Sequence, residues 1–168
     1  MQKFSILWVS LLIVLMGGCA TKQYSVSEPK IIVLKTPKLK FADMGYLRYS
    51  DDAVEVELFT AGVAVEKITI DEGVCVSAGC MSEEAFIREY LYKDYPSDTM
   101  RRILQKAPIF GGINTSESCA GVKFQYIRND EMDIVYRRSS KETYFKDRLN
   151  GLMIKITDED NSTLEERR

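Results

Sequence analysis

The chain reads as one β-dominated α+β domain, an antiparallel sheet of short strands interrupted by two central helices. Two observations predict this class. Val54, Val56 and Leu58 alternate with Glu55 and Glu57, the period of two expected of a strand with one buried and one wet face. Between Ser82 and Leu104 the period lengthens to that of a helix, and after Ala107-Pro108 the alternation resumes.

Residues 20–30 are polar and read as a flexible tether ending at Pro29. Ile31 to Lys35 is a short β-branched strand, broken by Pro37. Phe41 to Ser50 is the next strand, closed by the turn Ser50-Asp51-Asp52. Val54 to Leu58 follows, with Glu55 and Glu57 on the solvent side. Ala61-Gly62 turns the chain into the returning strand Val63 to Ile70, and Asp71-Glu72-Gly73 turns it again before Val74 to Val76. Ser82 is positioned to cap a helix whose first turn carries Glu83 and Glu84, which complement the helix dipole. Phe86, Ile87, Tyr90 and Leu91 form its apolar face, and it ends before Tyr95-Pro96. Ser97 caps a second helix with Met100, Ile103 and Leu104 on one face, stopped by Ala107-Pro108. Phe110 precedes Gly111-Gly112, and residues 111–121 read as a polar loop. In the next strand Val122, Phe124 and Tyr126 alternate with Lys123, Gln125 and Ile127, and the first set is read as the core face. Met132, Ile134 and Tyr136 mark another strand and Thr143 to Lys146 a short one. Asn150-Gly151 signals a hairpin into Leu152, Ile154 and Ile156. Residues 158–168 are mostly charged and read as a disordered tail.

The first residues form a separate unit. Lys3 and the amino terminus are positive, and Phe4 to Met16 is an apolar run too short to span a bilayer comfortably. Leu15-Met16-Gly17-Gly18-Cys19 then resembles a bacterial lipobox, the cleavage site before a lipid-modified cysteine. The resemblance implies that residues 1–18 are a signal peptide and that Cys19 is acylated. Several acyl chains, at about 0.8 kcal/mol per buried methylene, would hold the protein on a membrane with little dissociation. Ala20 is not the aspartate that retains such proteins at the inner membrane, so the resemblance further implies an outer-membrane lipoprotein facing the periplasm. The single folded domain is then residues 31–157.

Lys plus Arg number 23 and Asp plus Glu 25, well mixed along the chain, which gives no footprint for nucleic acid. There is no histidine, so a Ser-His hydrolase is excluded and the commonest general base and metal ligand are missing. No nucleophile–base pair stands out, and the chain is read as a non-enzyme with neither cofactor nor metal. Besides Cys19 there are Cys75, Cys80 and Cys119. Three thiols allow three pairings. In an oxidising compartment the turn-forming Ser77-Ala78-Gly79 favours Cys75–Cys80 at a cross-linked hairpin tip, leaving Cys119 free in a polar loop. A zinc site is the rival reading and lacks a fourth ligand.

Taken together, residues 41–157 resemble the LolA/LolB family, the periplasmic carrier and outer-membrane receptor of lipoproteins. Val54 to Gly62 is similar to the receptor's strand and following turn, with Phe59 or Ala61 near its protruding leucine. Ser82 to Leu91 is similar to its first lid helix, and Met100 to Pro108 to its next helix. Ile134-Val135-Tyr136 and Leu152 to Thr157 are similar to later strands. The Phe/Tyr/Ile- and Lys-rich style also resembles small lipoproteins of the Helicobacter–Campylobacter group. The family resemblance implies a curved, unclosed half-barrel with the two helices as a lid over an apolar cavity. It implies acyl-chain binding by Val54, Val56, Leu58, Phe86, Leu91, Ile103, Leu104, Phe110, Phe124 and Tyr126, and a periplasmic carrier as partner. The alternative is a structural accessory lipoprotein of an envelope assembly, serving outer-membrane protein assembly, lipopolysaccharide transport or the flagellar base. That alternative expects a filled core and an exposed aromatic patch.

Overall fold

The computed structural model describes residues 23–159. The expected signal segment, Cys19 and most of the charged tail lie outside the described residues. The first six strands are β1 (Val26–Lys35), β2 (Lys40–Tyr49), β3 (Val54–Thr60), β4 (Val63–Ile70), β5 (Val74–Val76) and β6 (Gly79–Met81). Two helices follow, α1 (Glu83–Tyr90) and α2 (Thr99–Leu104), then a single 3-10 turn at Phe110–Gly112. The chain closes with β7 (Thr115–Glu117), β8 (Lys123–Arg128), β9 (Asp133–Arg138), β10 (Glu142–Asp147) and β11 (Leu152–Asp158).

All eleven strands belong to one antiparallel sheet in the order β6-β5-β4-β3-β2-β1-β11-β10-β9-β8-β7. It is two meanders joined where the first strand meets the last, with Lys30 opposite Asp158 and Lys35 opposite Met153. The sheet does not close: β6 and β7 are its edges. The fold is thus the expected α+β class, a curved open sheet with two helices packed on its inner face.

Side-chain alternation explains which face is inner. Ile32, Leu34, Leu47, Val54, Val56, Leu58, Ile68 and Ile70 point inward from the first meander, and Ile134, Tyr136, Phe145, Leu152, Ile154 and Ile156 from the second. The helices meet them with Phe86, Ile87, Tyr90, Met100, Ile103 and Leu104. Ser82 caps α1 as expected, its Oγ accepting from the Ala85 amide at 3.2 Å. Asp98, one residue beyond Ser97, is the N-cap residue of α2 and makes no side-chain cap bond. The β3–β4 hairpin turns through Ala61 and Gly62, both at positive φ (52° and 80°), the handedness that suits a two-residue hairpin turn.

Several expectations need correction. β1 begins at Val26, inside the expected tether. Pro29 is tolerated because β11 pairs with β1 only from Lys30 onward, so on that side Pro29 lies past the end of the ladder. Residues 115–117, placed in the polar loop, form the edge strand β7 against β8. Asp158, assigned to the disordered tail, ends β11 and accepts from Lys30 Nζ at 2.7 Å. Glu55 is not on a solvated face: it is 2 % exposed and sits in an ion-pair cluster on the outer side of the sheet. Its carboxylate meets Arg48 at 2.7 Å, Lys67 at 2.8 Å and the Tyr24 hydroxyl at 2.8 Å. Burial alone would raise the Glu55 carboxyl, but hydrogen bonds from Lys67, Tyr24 and Arg48 outweigh it and hold the group below its usual range. Burial, then the hydrogen bond to Glu55, pushes the Tyr24 hydroxyl up to about 12.

Candidate functional site

The inner face under α1 and α2 is the candidate site. Val54, Val56, Leu58, Phe86, Leu91, Ile103 and Leu104 come together there in one buried cluster, none more than 4 % exposed. Phe110 packs on the cluster's margin, half-buried. Phe124 and Tyr126 do not join it: they point to the outer face, ring centroids 6.3 Å apart and nearly parallel, with Tyr126 54 % exposed. The face of β8 is therefore the reverse of the one read from its pattern.

The reason is Gln125. It points inward, fully buried, and its amide oxygen accepts from the Ile109 amide at 2.9 Å. Its Nε2 donates to the carbonyls of Ile109 at 3.0 Å and Ile113 at 2.9 Å. The connection between α2 and β7 runs over the inner face and carries backbone groups that no ladder satisfies. One glutamine inside supplies those bonds, which outweighs burying a second pair of aromatic rings. Ile127 follows on the inner side at 6 % exposure.

The helices are held by few polar ties. The Tyr49 hydroxyl donates to the Leu104 carbonyl at 3.0 Å, and the Tyr136 hydroxyl to the Ala107 carbonyl at 3.0 Å. Arg101 of α2 bonds Glu83 of α1 through Nε at 2.9 Å and reaches the Asp71 carbonyl in the β4–β5 turn. Between the helices, Tyr95 donates its hydroxyl to Asp147 at the end of β10. Asp147 is fully buried and also accepts from Asn150 Nδ2 at 2.7 Å and from the Asp133, Leu149 and Asn150 amides. Burial would raise its carboxyl, but the bonds from Tyr95, Asn150 and the amides more than offset that and keep it below the usual carboxylate range. Burial, and then Asp147 itself, pushes the Tyr95 hydroxyl well above the usual tyrosine range. Around this tie Tyr95 stacks edge-on with Phe110 (5.7 Å) and Phe145 (6.0 Å).

Two features lie at the rims. Cys75 and Cys80 face each other across β5 and β6 and form a disulfide, and Cys119 is exposed and free. Beside the β3–β4 turn a cleft of about 500 Å³ is lined by Asp43, Met44, Tyr46, Phe59, Ala61 and Gly62, and Val63 next to it is 65 % exposed.

Among the described residues no group of three His, Cys, Asp or Glu side chains could hold a metal ion, and no helix is long and apolar enough to cross a membrane. The sequence pattern missed Gln125, Tyr95 and Asp147. The signal for the last was Asp147-Arg148-Leu149-Asn150-Gly151, an Asx-type turn whose aspartate accepts from the amides just ahead of it. No protein-family model, curated protein or solved structure matches the chain.

Proposed function

We propose that this is a lipid-handling lipoprotein, anchored through Cys19 to the outer membrane and facing the periplasm. Its inner sheet face takes an acyl chain when α1 and α2 move aside, as in a receptor for lipoprotein localisation supplied by a periplasmic carrier. The observation that supports this most is the way the inner face is covered. A broad apolar surface on an open sheet lies under helices of only 8 and 6 residues. Helices that short have little stability of their own and rest on their side-chain attachments. An acyl chain presents the same chemistry as the side chains it would replace. At about 0.8 kcal/mol per methylene, some fourteen buried methylenes contribute roughly 11 kcal/mol gross, on the scale of a whole domain's stability. The exposed Val63 at the β3–β4 tip supports an apolar contact outside the lid as well.

The test is uptake of a fluorescent fatty acid or lipopeptide by the chain with Cys19→Ala, made without residues 1–18. Binding is expected in the parent, with loss in Leu104→Asp, each variant first checked by a circular-dichroism melt because a buried charge also destabilises folding. A folded parent that takes up no probe and carries none from expression refutes the reading. Lipid labelling tests the anchor: Cys19→Ala should remove both the label and membrane association.

One observation favours the second reading, a structural subunit of an envelope assembly. The stacked pair Phe124–Tyr126 is turned outward instead of into the core, as a partner surface would require. Replacing both by serine would then release the protein from its assembly while leaving acyl-chain uptake intact.

A further inference from the structure

We propose that the cleft between the end of α2 and the β9–β10 turn binds a phosphate-type oxyanion, as carried by a lipid headgroup or by free phosphate. The cleft encloses about 240 Å³ and is lined by Lys106, Gly121, Lys123, Arg138, Ser139 and Ser140. Three of the six are cations and none is an acid. Neither Lys106 nor Lys123 has a carboxylate within ion-pair distance among the described residues.

Arg138 carries the argument. It is 5 % exposed, on the inner face of β9, with its guanidinium over the Tyr136 ring at 5.2 Å. Nη1 donates to the Lys106 carbonyl at 3.1 Å. Nε and Nη2 are buried and have no hydrogen-bond partner. Those two nitrogens form one edge of the guanidinium, with parallel N–H groups spaced to meet two oxygens of one oxyanion. Directly across the ladder stands Thr143, 1 % exposed, whose Oγ1 is likewise buried and unpartnered. Buried donors of this kind are costly unless something accepts from them. An anion seated in the cleft would take the Arg138 edge, with Lys123 on the exposed rim as the outer contact.

The surrounding charge agrees. Lys106 Nζ donates to the carbonyls of Ser139 at 3.3 Å and Ser140 at 2.6 Å, and one of its three N–H groups stays available. Burial first, and then the nearby Lys30 charge, holds Lys106 below the usual lysine range, outweighing the opposite pull of Asp158 and Glu28. The acids nearest it, Glu28 and Asp158, are both bonded to Lys30 at 2.7 Å. The site stands whether or not the inner face takes an acyl chain. If it does, the headgroup of that same amphiphile fits here.

The experiment is calorimetric titration of the full chain in a maltoside detergent, with inorganic phosphate in one arm and monomeric dihexanoyl phosphatidylglycerol in the other. Saturable binding in the millimolar range or tighter is expected in at least one arm. Tighter phosphate names free phosphate as the source, and tighter phosphatidylglycerol names a headgroup. Arg138→Lys keeps the charge but loses the paired edge, and should weaken binding about tenfold or more. Lys123→Gln, at an exposed position that leaves folding intact, should weaken it severalfold. Absence of saturable binding in both arms overturns the proposal. So does binding that is unchanged in Lys123→Gln and in a folded Arg138→Lys variant. Acyl-probe uptake is scored separately, so the two readings fail independently.

Discussion

Removing the Asp147 carboxylate should loosen the helices more than any other single polar change. Asp147 receives hydrogen bonds from Tyr95, from Asn150 Nδ2 and from three backbone amides. Tyr95→Phe removes one bond to a charged acceptor, worth about 1.5–3 kcal/mol. Asp147→Ala removes all of them. The amides near the turn can turn to water, but the Tyr95 hydroxyl, in a residue 5 % exposed, cannot. The loss is then about 3–5 kcal/mol. For a domain of this size that lowers the melting temperature by about 10–15 °C. The double variant should cost no more than Asp147→Ala alone, since the bond is already gone. The pH dependence has a definite sign. The folded carboxyl lies below its usual range, so its contribution is complete above the unfolded value near 4 and is lost as pH falls through the folded value. The stability gap between the parent and Asp147→Asn should therefore be full at neutral pH and shrink in strong acid. Urea unfolding of the five proteins at neutral and acid pH measures it. A cost below about 1 kcal/mol for Asp147→Ala, or a gap to Asp147→Asn that does not change with pH, refutes the reasoning.

Other outcomes follow from the same geometry. At Gly45 an added Cβ would lie 2.7 Å from the Glu57 carbonyl and 2.7 Å from Ile32 Cδ1, so Gly45→Ala should cost about 1–3 kcal/mol in a melt through forced repacking. Cys75→Ser with Cys80→Ser opens a very short loop, and urea midpoints should report only about 1–2 kcal/mol. Because β8 is turned opposite to its apparent pattern, Tyr126→Ser should cost less than about 1 kcal/mol and Ile127→Ser about 2–4 kcal/mol; the reverse ranking would mean the strand faces the other way.

The sequence was legible where one face of an element is apolar and the other is not. Val54-Glu55-Val56-Glu57-Leu58 declares both a strand and its inner side, and Ser82 ahead of two glutamates declares where α1 starts. Of the three pairings the thiols allow, the turn-forming residues between Cys75 and Cys80 favoured the one that is found. β8 was not, because both of its faces are half apolar. Phe124 and Tyr126 weigh on one side and Ile127 on the other, and the deciding term was the backbone of a loop distant in sequence that needed the Gln125 amide. Glu55 misled for a similar reason. A glutamate opposite a valine reads as wet, yet Arg48, Lys67 and Tyr24 come from other strands and from the N-terminal stretch to cover it. β7 is three polar, exposed residues, and nothing local distinguishes such an edge strand from a loop. Of the candidate site, the apolar floor was readable from periodicity, whereas the groups that fasten the helices to it are tertiary and were not.

The pairing of β1 with β11 also has a kinetic consequence. Every other pair of neighbours in the sheet is consecutive in the chain, joined by a short turn, and zips locally. This contact links Lys30 to Asp158, 128 positions apart. Loop-closure entropy rises by about 0.6 kcal/mol for each doubling of length, so joining these strands costs roughly 3 kcal/mol more than closing a hairpin of a few residues. The two meanders should therefore form first as independent halves, each with an unpaired border strand, and meet in a late step that limits the refolding rate. Until then the first strand made must wait for the last one. The same junction brings the two ends of the domain side by side, and a permuted chain that links them directly and opens at the exposed Cys119 loop would turn the slowest contact into one of the fastest.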